Sequence, residues 1–372
     1  MGNSVLKCRR SKVKQIAAIY PFCAEILPVI KLFKNLQKEY SLKYIISPKG
    51  FGYVEQDAAY ACNHPQIGIK VLDEIPFDKD DWSTLLLFEP IMKKGDFFFN
   101  EVLHKAIFYG KQVVVFASAE QELLKEIERM ECEVRDKIEI RTIRERNLTE
   151  YDEKIYIPSI PVILVGGLLE QADCFEVFLK MAEKLRNEGW NAAVFSKHPL
   201  GMAFGFYGLD HIWENSVFRE EEKIRQINLY INDIVKCTCA NIILLEAPDA
   251  LMKYNAFIPN GYGIRTYMLC QAVTPDYLIC CIPFEATDKN FMKAIGQDFL
   301  YRFGCEINAV HVANVLLDSA DTMRRKQIKI LRTNMEFVHQ KMKQQINEGS
   351  IPIFNVVEDG IDALYDVLIN RL

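Results

Sequence analysis

Short apolar runs alternate with amphipathic stretches along the chain from residue 15 onward. Each run has the length of a buried strand and is bounded by turn residues, whereas the stretches between the runs carry apolar residues at helical spacing. This alternation is typical of βαβ units, which place parallel strands in one sheet and helices on both of its faces. We therefore predict an α/β protein of three-layer domains with parallel sheets.

The length of 372 residues is sufficient for two domains that each bury a core. A charged connector that carries Pro158 and Pro161 interrupts the alternation, and we place the domain boundary near residue 152. The first domain, 15–151, is predicted to be Rossmann-like or flavodoxin-like, with strands at 15–20, 43–48, 84–89, 111–117 and 138–143 and helices at 24–40, 101–109 and 120–131. The second domain, 152–372, has predicted strands at 162–165, 192–196, 242–245, 277–282 and 307–315 and helices at 174–188, 220–236, 263–272, 289–303, 333–348 and 360–372.

The overall charge and the cysteines argue against several classes of protein. A formal net charge of -5 argues against a nucleic-acid partner, which would require a surplus of Lys and Arg on one face. The 11 cysteines are scattered through apolar runs without zinc-ligand spacing, so we predict reduced core thiols and no metal site. No apolar run reaches the ~18 residues of a membrane span. These features predict a cytoplasmic protein without nucleic-acid or membrane partners.

Residues 162–196 have the layout of a P-loop unit: a strand, a glycine turn, an amphipathic helix and a second strand. In a working G-x-x-x-x-G-K-[ST] loop the lysine contacts the β and γ phosphates and the hydroxyl holds magnesium. From Gly167, the register puts Ala172, Asp173 and Cys174 at the three diagnostic positions. Asp173 would place a carboxylate where phosphate requires a cation. The second domain is therefore predicted to be a degenerate P-loop NTPase-like domain that does not hydrolyse ATP.

Two interpretations of the glycine turn remain open. In the first, Gly166 and Gly167 only form the turn that connects the strand to the helix. In the second, the helix N-terminus after this turn binds an anion such as a carboxylate or pyrophosphate. Lys197, which follows the next strand, is either a solvated loop residue or a replacement for the missing lysine.

Glu246 is the candidate catalytic residue. It ends an apolar strand at the carboxyl edge of the sheet, where P-loop folds hold a magnesium-binding or general-base carboxylate. The other interpretation is that its carboxylate caps local backbone N–H groups. No nucleophile motif of the common hydrolases accompanies it, so the sequence leaves open whether the protein is an enzyme.

A second candidate ligand-binding loop follows the second strand of the first domain. It contains Pro48, Lys49, Gly50 and Gly52, and it lies at the carboxyl end of a parallel strand, where such sheets bind ligands. A glycine-rich turn packed by its aromatic neighbours is the alternative. Together with the loops after the first and third strands, we expect this loop to line a cleft that faces the second domain.

Two later stretches resemble a P-loop family that includes D-glutamate N-acetyltransferases. They are IILLEAPDALMKYN at 242–255 and QAVTPDYLICCI at 271–282. Glu246 matches the glutamate that ends a strand in that family, and Asp276 matches the Pro-Asp pair before the next strand. The resemblance implies a nucleotide or acyl-CoA as cofactor. The glycines after the glutamate are replaced by Ala247 and Pro248, and the Walker A lysine is absent, both of which argue against that cofactor.

A closer resemblance, over nearly the whole chain from residue 15, is to the clostridial peptide maturation system protein family. The blocks that carry it are AAIYPF (17–22), SPKGFGYVEQDAAYA (47–61), GGLLEQADCFE (166–176), NGYGIRTYMLCQAVTPDY (260–277) and YRFGCEINAVHVANV (301–315). We take Asn260, Gly261 and Asp276 from these blocks as candidate ligand-binding residues. The resemblance implies work on a small cysteine-rich ribosomal peptide of the bacteriocin type. The implied partners are that precursor peptide and a radical-SAM maturase or carrier-like protein.

Two functional hypotheses follow. The first is an accessory protein that binds the precursor peptide or the maturase in a cleft between the domains. The second is an acyl- or ligase-type transferase that uses the degenerate loop as an anion site.

Overall fold

The computed structural model describes residues 14–50, 52–60, 66–88, 97–116, 135–141, 154–286, 289–333, 336–338, 340 and 351–371. The chain divides into two compact units, residues 1–142 and 143–372. The predicted boundary near 152 and the predicted helix at 120–131 lie outside the described residues, as does most of the predicted helix at 333–348.

The first unit is an α/β domain around a six-stranded parallel sheet. The strand order is β3-β2-β1-β4-β5-β6, which is the Rossmann order rather than the flavodoxin order. The predicted helix 24–40 is shorter than expected: a 3-10 turn precedes a helix that ends at Leu36, because β2 already begins at Tyr40. The described elements are β1 (Gln15–Tyr20), α1 (Leu27–Leu36), β2 (Tyr40–Ile46), β3 (Val71–Leu72), β4 (Thr84–Phe88), α2 (Phe97–Phe108), β5 (Gln112–Phe116) and β6 (Ile138–Arg141).

The second unit is also an α/β domain with a six-stranded parallel sheet, in the order β14-β11-β10-β7-β9-β8. The predicted strand 307–315 is two strands, β11 and β12, because β12 leaves the sheet to form an antiparallel hairpin with β13. The strands are β7 (Val162–Gly167), β8 (Ala192–Phe195), β9 (Ile242–Glu246), β10 (Tyr277–Pro283), β11 (Ile307–Ala313), β12 (Val315–Leu317), β13 (Ile330–Arg332) and β14 (Ile353–Phe354). The helices are α3 (Cys174–Asn187), α4 (Asp210–Trp213), α5 (Glu220–Thr238), α6 (Ile264–Ala272), α7 (Lys289–Phe303), α8 (Ser319–Arg325), α9 (Val356–Asp359) and α10 (Asp362–Ile369).

The strand order of the second sheet determines where its functional groups meet. β7 is central, with β9 on one side and β10 on the other, so the chain switches direction across the sheet at this strand. The helices α3, α9 and α10 pack together, and α5, α6 and α7 form another connected group, which gives the layers of a three-layer domain. In the register of β7 and β9, Val165 pairs with Glu246. The carboxyl end of β7 is thus a switch point, the place where open α/β sheets bind ligands.

The central strands are buried, which explains why they are apolar over their whole length. β7, β9 and β10 have no exposed residue, as expected of a parallel sheet covered on both faces. Among the described helices, none combines the length and the hydropathy needed to cross a membrane.

Candidate functional site

Gly166 and Gly167 end β7 because larger residues would not fit there. A Cβ on Gly166 would lie 2.8 Å from both Ala247 Cβ and Leu251 Cδ2. A Cβ on Gly167 would overlap Cys174 Sγ and lie 2.7 Å from the carbonyl oxygen of Leu169. The glycine pair therefore lets the start of α3 and the segment after β9 approach β7 closely.

The turn after Gly167 differs from a working P-loop in its hydrogen bonds. The N–H of Leu168 donates to the carbonyl of Cys281 at 2.9 Å, and the N–H of Ala172 donates to the carbonyl of Leu169 at 3.1 Å. These two donors are occupied within the protein and do not face a ligand.

The position of Asp173 corrects the expectation that its carboxylate would face a bound phosphate. The residue has a left-handed backbone with φ of 56°, and its carboxylate lies 3.5 Å from Arg332 Nη1 and 3.8 Å from His311 Nε2. His311 is fully buried and accepts a hydrogen bond from the N–H of Val356 at its Nδ1 atom. Asp173 is thus part of a separate polar cluster.

The glycine pair forms one wall of a cleft that we call the glycine cleft. Its cavity volume is about 10 Å³, and it is lined by Val165, Gly166, Gly167, Glu170, Cys174, Lys197, Glu246, Ala247, Asp249 and Ala250. A cavity needs ~10 to 15 Å³ to hold one water. The glycine cleft therefore has room for about one water-sized group and not for a complete nucleotide.

Glu246 is 4% exposed at the end of β9 and accepts its hydrogen bonds from the described residues at one carboxylate oxygen. Its Oε2 accepts from Ser196 Oγ at 2.6 Å, from the N–H of Lys197 at 3.1 Å and, weakly, from the N–H of His198 at 3.4 Å. Its Oε1 is buried and has no hydrogen-bond partner in the described part of the chain. Burial raises the pKa of Glu246, although the Lys197 charge and the Ser196 hydrogen bond oppose the rise. Glu246 caps backbone N–H groups with one oxygen, and its other oxygen is buried without a donor among the described residues.

Lys197 brings its ammonium group to the glycine cleft from the loop after β8. Its Nζ lies 3.1 Å from a carboxylate oxygen of Glu170, and its side chain is 23% exposed. Burial lowers the pKa of Lys197, but the charges of Glu246 and Glu170 outweigh burial and hold the pKa above its ordinary value. The residue is an ion-paired ammonium rather than a solvated loop lysine.

His198 packs beside this loop and is neutral near pH 7. Its ring stacks on that of Phe175 with the centroids 4.2 Å apart. Burial, helped by the nearby Lys197 charge, lowers the pKa of His198 to about 4. An imidazole with this pKa adds no positive charge to the site at neutral pH.

A second cleft shares the wall that Lys197 and Glu246 form, and we call it the tryptophan cleft. Its cavity volume is about 10 Å³, and it is lined by Phe195, Ser196, Lys197, Leu209, Asp210, Trp213, Leu245, Glu246, Pro248 and Leu269. Sequence reasoning missed Asp210 and Trp213, because α4 has four residues and is too short to show a helical period. The acidic residue inside the apolar group LDHIW is a local signal that could have pointed to this helix.

The loop after Glu246 is held in place by its own polar groups. Both carboxylate oxygens of Asp249 accept N–H bonds from the first turn of α6, from Arg265 at 3.1 Å and Thr266 at 2.9 Å. Asn260 Nδ2 donates to the carbonyl of Leu168 at 2.9 Å, which ties this loop to the glycine turn. Gly261, with φ of 70°, lies against Asp249. Asn260 and Gly261 therefore position the cleft but do not line it.

Asp276 lies away from both clefts, and its assignment as a ligand-binding residue stays a prediction. Its Oδ2 accepts the N–H of Val162 at 2.9 Å, and its own N–H donates to the carbonyl of Val162 at the same distance. Both residues precede or begin their strands, so they lie at the amino edge of the sheet, opposite Glu246. Asp276 joins β7 to β10.

In the first domain, the loop with Pro48, Lys49, Gly50 and Gly52 is ordered by local contacts. Lys49 is exposed and pairs with Glu74 at 3.0 Å. Gly50 and Gly52 have φ of 96° and 80°, values that glycine adopts without strain. These contacts fit the interpretation of the loop as a packed turn. Ligand binding at this loop stays a prediction.

Comparisons with known proteins agree with this fold. No model of a protein family matches the chain, and no curated protein matches it. The chain is similar to the crystal structure of a DUF1611 family protein from Anabaena variabilis, with a TM-score of 0.58 and 12% sequence identity. The match covers 96% of this chain and 100% of the other. At this identity the likeness shows the two-domain α/β fold, and the resemblance to the peptide maturation family stays a prediction.

Proposed function

We propose that this chain is an accessory protein of a ribosomal peptide maturation system, and that its second domain holds one group of the precursor peptide in the glycine cleft. The observation that carries the proposal is Glu246 Oε1, which is buried and accepts no hydrogen bond within the described residues. Leaving a buried acceptor unsatisfied costs ~1 to 3 kcal/mol, and more for a charged group. A ligand N–H or O–H against this oxygen would remove that cost.

The size and the charges of the cleft limit which group of a ligand could enter it. Its cavity volume is about 10 Å³, so only a water-sized terminal group, such as one N–H donor of a peptide, would enter while the remainder of the peptide lies outside. The charges favour such a donor group over an anion, because Glu170, Glu246 and Asp249 line the cleft and Lys197 is the only basic residue among its lining residues. The identity of the peptide is taken from the sequence resemblance to clostridial maturation proteins.

A second candidate function, transfer of an acyl group to an amine, is favoured by the pKa of Glu246. Burial raises this pKa toward neutrality, which suits a general base that removes a proton from an attacking amine. The charges described above do not support an anion site in the degenerate loop. In this alternative Glu246 takes the proton of the attacking amine, the amide C–N bond forms as the thioester C–S bond of acetyl-CoA or of a loaded carrier protein breaks, and the thiol leaves with a proton.

Calorimetric titration of the purified full chain with the cysteine-rich precursor peptide of the proposed maturation system tests the binding proposal. We expect micromolar binding that weakens at least about ten-fold in Glu246→Gln, since the variant loses a charge-assisted hydrogen bond. Glu176→Gln is the matched control, because Glu176 is also 4% exposed but pairs with Lys180 outside both clefts. Equal affinity in wild type and Glu246→Gln would contradict the proposal.

The two candidate functions differ in what happens to the peptide. Incubation of chain, peptide and acetyl-CoA, followed by mass spectrometry, leaves the peptide mass unchanged if the protein only binds. An added acetyl group that depends on Glu246 would establish the transferase instead.

A further inference from the structure

After β11 the chain leaves the second sheet and builds a hairpin from β12 and β13, with α8 between the two strands. We propose that the outer edge of β13 binds an extended acidic peptide segment, which adds a third strand to the hairpin. The inference does not rest on the proposed function, because Glu246 and the glycine cleft take no part in it. It assigns a second binding surface and the charge of the segment that this surface takes.

The register of the hairpin leaves backbone groups of β13 facing outward. The N–H of Asp318 donates to the carbonyl of Lys329 at 2.9 Å, and the N–H of Thr333 donates across the hairpin at 3.0 Å. Along an antiparallel strand, residues that bond the partner strand alternate with residues that do not. Ile330 and Arg332 fall at the alternate positions, so their N–H and C=O groups turn away from β12. No other described strand pairs with this edge, and such edge groups are the ones that an added peptide strand binds.

The hairpin is held in shape by its own contacts. Thr322 is fully buried, and its Oγ1 accepts the N–H of Lys329 at 2.9 Å, which packs α8 against the start of β13. On the other strand, the N–H of Leu317 donates to a carboxylate oxygen of Glu285 at 3.0 Å. A peptide strand therefore meets an edge that is already extended, and its binding has few protein groups to order.

The hairpin is basic, although the chain as a whole is acidic. Residues 315–332 contain five basic and two acidic side chains, a local charge of +3, whereas the formal net charge of the chain is -5. The basic residues are Arg324, Arg325, Lys326, Lys329 and Arg332. Two such edges would repel each other, which disfavours a second copy of this chain as the added strand. Acidic side chains on the added strand would instead be attracted.

Exposed aliphatic side chains between these charges favour a peptide over a nucleic acid. Leu331 is 54% exposed and Met323 is 46% exposed. Strand alternation puts Leu331 on the same face as Lys329, so an apolar and a basic side chain neighbour each other there. A peptide that carries apolar residues beside acidic ones contacts both. A nucleic acid would find the cations, but these aliphatic side chains offer no aromatic face for base stacking.

Fluorescence anisotropy of the labelled peptide Gly-Ser-Glu-Leu-Glu-Leu-Glu-Gly with the full chain tests the inference. We expect saturable binding in 0.1 M NaCl that weakens at least about ten-fold in 1 M NaCl, because the screening length falls from ~10 Å to ~3 Å. The same peptide with Gln in place of Glu should bind at least about ten-fold more weakly. Equal binding of the Glu and Gln peptides would overturn the inference, as would binding of octathymidylate as tight as that of the Glu peptide.

Ile330→Pro tests the edge itself, because it removes one outward N–H and leaves the bonds to β12 in place. Affinity for the Glu peptide should fall about five-fold, as the loss of a hydrogen bond worth ~1 kcal/mol implies. Ile330→Val keeps the N–H and is the matched control. A Glu peptide methylated at alternate backbone nitrogens should lose affinity for the wild type as well, which does not depend on the folding of a variant. Equal affinity in Ile330→Pro and Ile330→Val would overturn the inference, as would a dimer in sedimentation that Ile330→Pro abolishes.

The charges are tested by the double substitution Lys326→Gln and Lys329→Gln. The affinity for the Glu peptide should fall at least about three-fold, since exposed ion pairs contribute ~0.2 to 1 kcal/mol each. Lys223→Gln with Lys236→Gln on α5 is the control, because it changes the net charge by the same amount away from the hairpin. Unchanged affinity in the hairpin variant, or an equal loss in both variants, would overturn the assignment of these lysines to the surface.

Discussion

The hydroxyl of Ser196 donates a 2.6 Å hydrogen bond to the Glu246 oxygen that also accepts the N–H of Lys197. The two residues end neighbouring strands, β8 and β9, so this bond joins two loops at the carboxyl edge of the sheet. All the donors converge on Oε2, and Oε1 is buried without a donor in the described residues. Ser196 thereby determines which way the carboxylate points.

Ser196→Ala should destabilise the second domain. A hydrogen bond to a charged acceptor is worth ~1.5 to 3 kcal/mol, which corresponds to a melting temperature lower by several degrees. Thr238→Val is the control, because it removes a hydroxyl whose acceptor is the neutral carbonyl of Ile234, at 2.7 Å. Thermal unfolding measured by circular dichroism checks both. A loss in Ser196→Ala no larger than that in Thr238→Val would contradict this role of Ser196.

Glu246 should make the protein relatively more stable as the pH falls from neutrality. Burial raises its pKa in the folded state above the ordinary value of 4.5. Between pH 4.5 and the folded-state pKa, the folded state therefore binds more protons than the unfolded state. The contribution of Glu246 to the free energy of unfolding is therefore largest below pH 4.5, and it is lost as the pH rises through the folded-state pKa. Glu246→Gln keeps an acceptor oxygen but does not titrate. The wild-type melting temperature, taken relative to this variant, should rise from pH 7 to pH 5, and a constant difference would contradict the shift.

His198 should have the opposite pH dependence. Its pKa is lowered from 6.5 to about 4 by burial, so between these values the unfolded state binds more protons. Stability from this group is present above pH 6.5 and is lost as the pH falls toward 4. His198→Phe keeps an aromatic ring against Phe175 and removes the titration. Between pH 6.5 and pH 4.5 the wild type should lose more stability than this variant, and parallel melting curves for the two proteins would refute the prediction.

Gly167→Ala should lower the melting temperature by several degrees. The new Cβ would overlap Cys174 Sγ and approach backbone oxygens at 2.7 and 3.0 Å, and overpacking of this kind costs ~1 to 3 kcal/mol. Gly296→Ala is the control, since no atom lies within 4 Å of its new Cβ and the residue is inside helix α7. That change should stabilise the protein by up to ~1 kcal/mol through helix propensity. If Gly167→Ala melted at or above the wild-type temperature, the close packing at this turn would be disproved.

The strands and long helices of both domains could be predicted from the sequence because their signals are local. An apolar run such as 242–246 between turn residues is a buried strand whatever its neighbours are, and the helix at 174–187 carries its own amphipathic period. The short strands β3 and β14 were missed, since two residues are too few for any pattern. Glu246 was found because an acidic residue at the end of an apolar strand is visible in the sequence.

The sequence alone determined the two-domain α/β organisation and the glycine turn that lacks the P-loop lysine, and it indicated Glu246 as a candidate residue. The tertiary structure decided the strand order and hence the partners of each loop. It brought Lys197, Asp210 and Trp213 to Glu246, turned Asp173 toward His311, and placed Asp276 at the opposite edge. The physical reason is that local propensity fixes which residues form a strand, whereas the pairing of strands distant in the chain depends on burial over the whole sheet.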